Sequence, residues 1–153
     1  MRKMSGNTVM NIIAAILLFI TLIVVEISFR TAQGWFDTNY NPAIIALAVG
    51  GIILLLAIAA MNITGAGRDS QIVSLLKTLF STGACVCAGV IVGLVLGAIA
   101  TEFAYTFLSN FNQGTAKEAF MPTACIQAVA GMVISVLTIL AAAVANIFDV
   151  KKD

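Results

Sequence analysis

The sequence has no histidine, so the side chain that most often serves as catalytic base or metal ligand is missing. Charge is also scarce: Asp, Glu, Lys and Arg make up 10% of the 153 residues, against roughly a quarter in an ordinary globular protein. Eight basic and seven acidic side chains leave a formal charge of +1, so no strong field exists to hold nucleic acid. There is no nucleophile–base pair, phosphate loop or metal motif. These absences make an enzyme the weakest functional reading and imply no cofactor. A lipid-modifying activity at the outer leaflet is the one enzymatic reading they leave open.

Apolar residues, in contrast, make up 61% of the chain before its 12 glycines are counted. A helix crosses the ~30 Å hydrocarbon core with about 20 mostly apolar residues. Four stretches meet that requirement, at about 9–28, 43–61, 78–100 and 123–148, and the third is expected to run as helix over 72–107. Barrel strands would alternate apolar and polar residues, whereas 12–25 and 84–100 are nearly continuous apolar runs. The expected fold is all-α: a four-helix integral membrane bundle in a single transmembrane domain, 1–153.

The connections carry stop and start signals. Residues 30–42 end in the turn-forming Asn41-Pro42. In 62–70 the glycines suit a helix C-terminus, and Asp69 or Ser70 can cap the next helix. In 109–122, Thr115-Ala-Lys-Glu118 matches a capping box, and Pro122 forces a kink into the fourth span.

Lysine and arginine set the orientation. Arg2, Lys3, Arg68, Lys77, Lys151 and Lys152 lie on one side, and only Arg30 and Lys117 on the other. That balance places both termini in the cytoplasm of a multi-pass plasma-membrane protein. The first apolar run exceeds the 7–15 residues of a signal-peptide core and lacks a cleavage site, so it is expected to be a retained span. The glycosylation sequon Asn62-Ile-Thr64 falls on the cytoplasmic side.

The strongest local pattern is in the third span. Ser81, Cys85, Gly89, Gly93, Gly97 and Thr101 are small residues four apart, hence on one helix face. Small residues let a second backbone approach closely in lipid, so these six are expected to form a helix-packing groove. It either receives span two (Gly50-Gly51) or span four (Ala128, Gly131, Ser135), or serves a second copy or a different protein.

Buried charge is the usual pointer to a transport path. Lys77 to Glu102 is about 37 Å of helix, and Thr8 to Glu26 about 27 Å, which puts both carboxylates near the outer boundary. Arg30 follows Glu26 by four residues and can pair with it. They are either interfacial anchors or, with Gln127, an outer polar cluster of Glu26, Arg30, Glu102 and Gln127. Cys85 and Cys87 point to opposite sides of one helix and Cys125 lies at the far end, so no disulfide or metal site is expected.

Nine of twelve aromatic residues fall at or beyond the outer boundary: Phe29, Trp35, Phe36, Tyr40, Phe103, Tyr105, Phe107, Phe111 and Phe120. Belts are expected at both interfaces, yet only Phe80 and Phe148 mark the inner one. With Asn39, Asn41, Asn110, Asn112 and Gln113 nearby, Trp35, Phe36, Tyr40, Phe107 and Phe111 form a candidate outer interaction face. Belt and loop packing, or a small-molecule or sugar site, are the alternatives.

These features favour a non-enzymatic scaffold or accessory subunit whose partners are the bilayer and another membrane protein or a second copy. The alternative is an oligomeric pore or small transporter with Glu26 and Glu102 at its outer mouth. The layout, with short outer loops and both ends inside, resembles that of MARVEL-type tetraspan proteins. That likeness is one of layout and carries over no functional residue. The first outer loop lacks the paired cysteines of claudin-like proteins and is too short for their extracellular sheet.

Overall fold

The protein is described by a computed structural model covering residues 5–32, 36, 39–65, 70–113 and 123–150, with 109–113 and 148–150 as backbone only. It contains four long helices: α1 (Gly6–Thr31), α2 (Ala43–Thr64), α3 (Gln71–Gln113) and α4 (Thr123–Val150). No strand occurs among the described residues. The shortest, α2, has 22 residues, or about 33 Å at 1.5 Å per residue. All four are long and apolar enough to cross a membrane.

The helix ends follow local chemistry. Ser5 caps α1, its Oγ accepting from the Thr8 amide at 3.3 Å. The Asn41 Oδ1 accepts from the Ala43 amide at 3.0 Å where α2 begins. That helix stops at Gly65, whose φ of 66° lies in the left-handed region that glycine enters without a Cβ clash. Ser70 precedes α3 and accepts the first amides through its backbone carbonyl. Asp69, the Thr115–Glu118 turn and Pro122 lie outside the described residues.

Three contacts fix the topology. Asn62 near the end of α2 donates to Asn7 at the start of α1, at 2.9 Å. Asn146 near the end of α4 donates to Ser81 near the start of α3, also at 2.9 Å. Val25, late in α1, lies against Gly131, early in α4. Each helix is therefore antiparallel to its neighbours in the ring α1–α2–α3–α4, which α1 and α4 close with the most extensive contact. Asn7, Asn62, Ser81 and Asn146 mark one end of the bundle, called here the amide end.

The buried positions step by alternating fours and threes: Asn7, Asn11, Ala14, Leu18, Thr21, Val25 and Ser28 in α1, and Ile44, Ala48, Gly51, Leu55 and Ile58 in α2. In α3 they are Ala84, Ala88, Ile91, Val95, Ala98 and Glu102, and in α4 Ala124, Ala128, Gly131, Ser135, Thr138, Ala142 and Ala145. A seven-residue repeat is the signature of left-handed helix packing. The seam is mostly small or polar, while Ile16, Phe19, Ile53, Leu79, Val86 and Leu140 face outward. Water would favour the reverse arrangement; lipid, as apolar as leucine, favours small residues at helix contacts.

Candidate functional site

The small-residue stripe of α3 does not follow the seam. Successive residues turn 100° around a helix, so each four-residue step advances about 40°. Ser81 is buried against α4, but Gly97, sixteen residues on, stands about 160° away around the helix. Gly89, Gly93 and Gly97 are all exposed, and a Cβ placed on any of them would meet nothing within 4 Å. Cys85 is half-buried, and the Thr101 hydroxyl donates to the Gly97 carbonyl at 2.9 Å. The glycine groove therefore receives neither α2 nor α4 of its own chain. Those helices use their small residues elsewhere: Gly51 meets Leu18, Gly131 meets Val25, and Ser135 Oγ donates to the Ala88 carbonyl at 3.0 Å.

The far end of the bundle holds Glu26 and Glu102. Glu26 accepts from Arg30 Nε at 3.2 Å and from the Tyr40 hydroxyl. The Arg30 side chain is 79% exposed and that of Glu26 17%, so the ion pair itself contributes little. The Tyr40 phenol is pushed up to about 12, chiefly by burial, then by its hydrogen bond to Glu26 and that carboxylate's charge; Arg30 acts in the opposite direction.

Glu102 belongs to a different level. Ser135 lies beside Ala88 and Gly131 beside Val25, so Val25 is level with about residue 92 of α3. Glu102 then sits nine residues farther along the axis than Glu26, about 14 Å at the helical rise. It is buried in the seam within electrostatic reach of Cys125, while Gln127 is exposed on the outside of α4. The outer polar cluster thus divides into a Glu26–Arg30–Tyr40 group and a separate Glu102–Cys125 position. Cys85, Cys87 and Cys125 are free thiols.

The aromatic face divides as well. Phe36 is fully buried, its ring stacked on Phe29 at 4.4 Å between centroids and 1° between planes. Tyr40 meets Phe29 edge-on at 5.2 Å. Full burial and stacking on Phe29 take Phe36 out of an outward interaction face, whereas Tyr40 packs beside Phe29 and stays half-buried. Phe103, Tyr105 and Phe107 remain exposed on α3. By the same levels Thr123 lies opposite about residue 100, so α3 continues some 20 Å past the start of α4. Trp35 and the Phe111 side chain lie outside the described residues.

The amide end holds a cluster that the sequence reading missed. Asn11 donates through Nδ2 to both the carbonyl oxygen and the Oδ1 of Asn7, and Asn62 donates to the same Oδ1. A backbone carbonyl can only accept, so the Asn11 amide orientation is fixed, with Oδ1 turned away. That oxygen is buried and has no donor among the described residues. An unmet buried acceptor ordinarily costs about 1–3 kcal/mol. The available signals were the seven-residue series Asn7–Ala14–Thr21–Ser28 and Asn11–Leu18–Val25, which place Asn7 and Asn11 on the seam.

Among the described residues, no group of three or more His, Cys, Asp or Glu is arranged to hold a metal ion. The chain matches no family model, no curated protein and no solved structure.

Proposed function

We propose that the protein is a non-enzymatic scaffold or accessory subunit of the plasma membrane that docks another transmembrane helix on the Gly89–Gly93–Gly97 face of α3. The observation that carries this reading is the outward position of three glycines one turn apart, with open space over each. Such a surface lets two backbones approach closely where lipid offers no hydrophobic drive. The excess of basic residues close in sequence to the helix termini of the amide end supports a cytoplasmic location for that end and both termini.

The pore reading draws less support. Leu18, Val25, Ile44, Leu55, Ile91 and Val95 fill the bundle interior and are each at most 1% exposed, so conduction would have to run between copies. The docking reading is tested with Gly89→Leu, Gly93→Leu and Gly97→Leu combined. The triple variant is expected to keep its helical spectrum and membrane insertion but lose the cross-linked complex that the native chain gives in its own membranes. A native-like complex from that variant would refute the reading.

A further inference from the structure

We infer that the amide end holds an internal water molecule, hydrogen-bonded to Asn11 Oδ1 inside the bundle. Asn62 is half-exposed, Asn7 is 4% exposed and Asn11 1%. The three side chains thus form a polar path leading inward from the bundle end. Asn11 lies four residues beyond Asn7, about 6 Å deeper. Its amide group is locked by the Asn7 carbonyl, so the unpartnered oxygen cannot be exchanged for a nitrogen by rotation. What this atom lacks is a donor.

Buried waters occupy sites that offer two or more polar partners. The candidate second partner is Ser81, diagonally across the ring on α3. Ser81 is fully buried, and the helix levels set by Ser135–Ala88 and Val25–Gly131 place it about 5 Å from Asn11 along the axis. Its hydroxyl oxygen accepts from Asn146, which leaves its own proton to donate. A water between the two gives a proton to Asn11 Oδ1 and takes one from Ser81 Oγ. The next layers hold Ala14, Leu18 and Leu55, none of them exposed. Water therefore stops at Asn11, and the path is a closed pocket that does not cross the bundle.

The test is water-edited solid-state NMR on the full native chain, perdeuterated and back-exchanged, in phosphatidylcholine vesicles. The Asn11 side-chain amide is expected to gain polarisation from water as fast as that of Asn62, while the backbone amide of Leu18 lags behind. Its Cγ resonance is expected not to shift when N-methylglucamine replaces sodium. Build-up at Asn11 as slow as at Leu18 would show a dry site and overturn the inference. A sodium-dependent Cγ shift would assign a cation in place of water and overturn it equally.

Discussion

Val25 and Gly131 meet within the α1–α4 contact, the most extensive in the bundle: a Cβ added to Gly131 would stand 2.7 Å from Val25 Cγ2 and 3.8 Å from the Val25 amide nitrogen. Valine is branched at Cβ and stiff at χ1, so it cannot swing aside. Gly131→Ala is therefore expected to lower stability by about 1–3 kcal/mol, read by denaturant unfolding in detergent. Gly51→Ala is expected to cost less, because its close neighbour is Leu18 Cδ2, the free end of a flexible chain. Gly93→Ala has no neighbour to displace and is expected to cost nothing. An equal loss at all three positions would contradict this packing.

Polar seam residues differ in what they join. Ser135 Oγ reaches the Ala88 carbonyl on another helix, whereas Thr138 Oγ1 reaches Ile134 in its own. Ser135→Ala is expected to cost about 0.6 kcal/mol, the usual value for an interhelical hydrogen bond in lipid. Thr138→Val keeps the shape and is expected to change stability by less. A double-mutant series in one detergent compares them directly.

Tyr40 gives the protein a dependence on alkaline pH. Its folded pKa of about 12 lies above the ordinary tyrosine value of 10, so the folded state holds the phenolic proton more tightly. The associated stability is complete below pH 10 and is lost as pH rises through 12. In a Tyr105→Phe background, where Tyr40 is the one tyrosine left, phenolate absorbance is expected to appear with a midpoint near 12. Glu26→Gln is expected to lower that midpoint part of the way, because burial, the larger cause, remains. A midpoint at 10 in the Tyr105→Phe chain with Glu26 intact would mean that Tyr40 is neither buried nor set against Glu26.

The number and place of the helices were legible because each is apolar along a stretch long enough to cross a membrane: 43–61 against Ala43–Thr64, and 123–148 against Thr123–Val150. The predicted third helix, 72–107, fell short of the observed Gln71–Gln113 because the apolar run breaks up there, with only Leu108 and Phe111 set among polar residues. Facing was harder to read. With Ile, Leu and Val on every side, hydrophobicity does not distinguish inside from outside, and the most regular small-residue stripe is the one that faces away. The seam was marked instead by weaker seven-residue spacings, such as Ala128–Ser135–Ala142. Phe36 was placed outward by its loop position alone, since its stack on Phe29 depends on how the chain turns after α1.

Position-resolved photo-cross-linking in native membranes tests the docking face of α3 most directly. A photoreactive residue at Gly93 is compared with one at Val133, which is exposed on α4 away from the glycines. A discrete protein adduct is expected from position 93, absent from position 133 and lost when Gly89 and Gly97 are both leucine. Only lipid adducts from position 93, or the same protein adduct from both positions, would contradict a helix-docking role for this face.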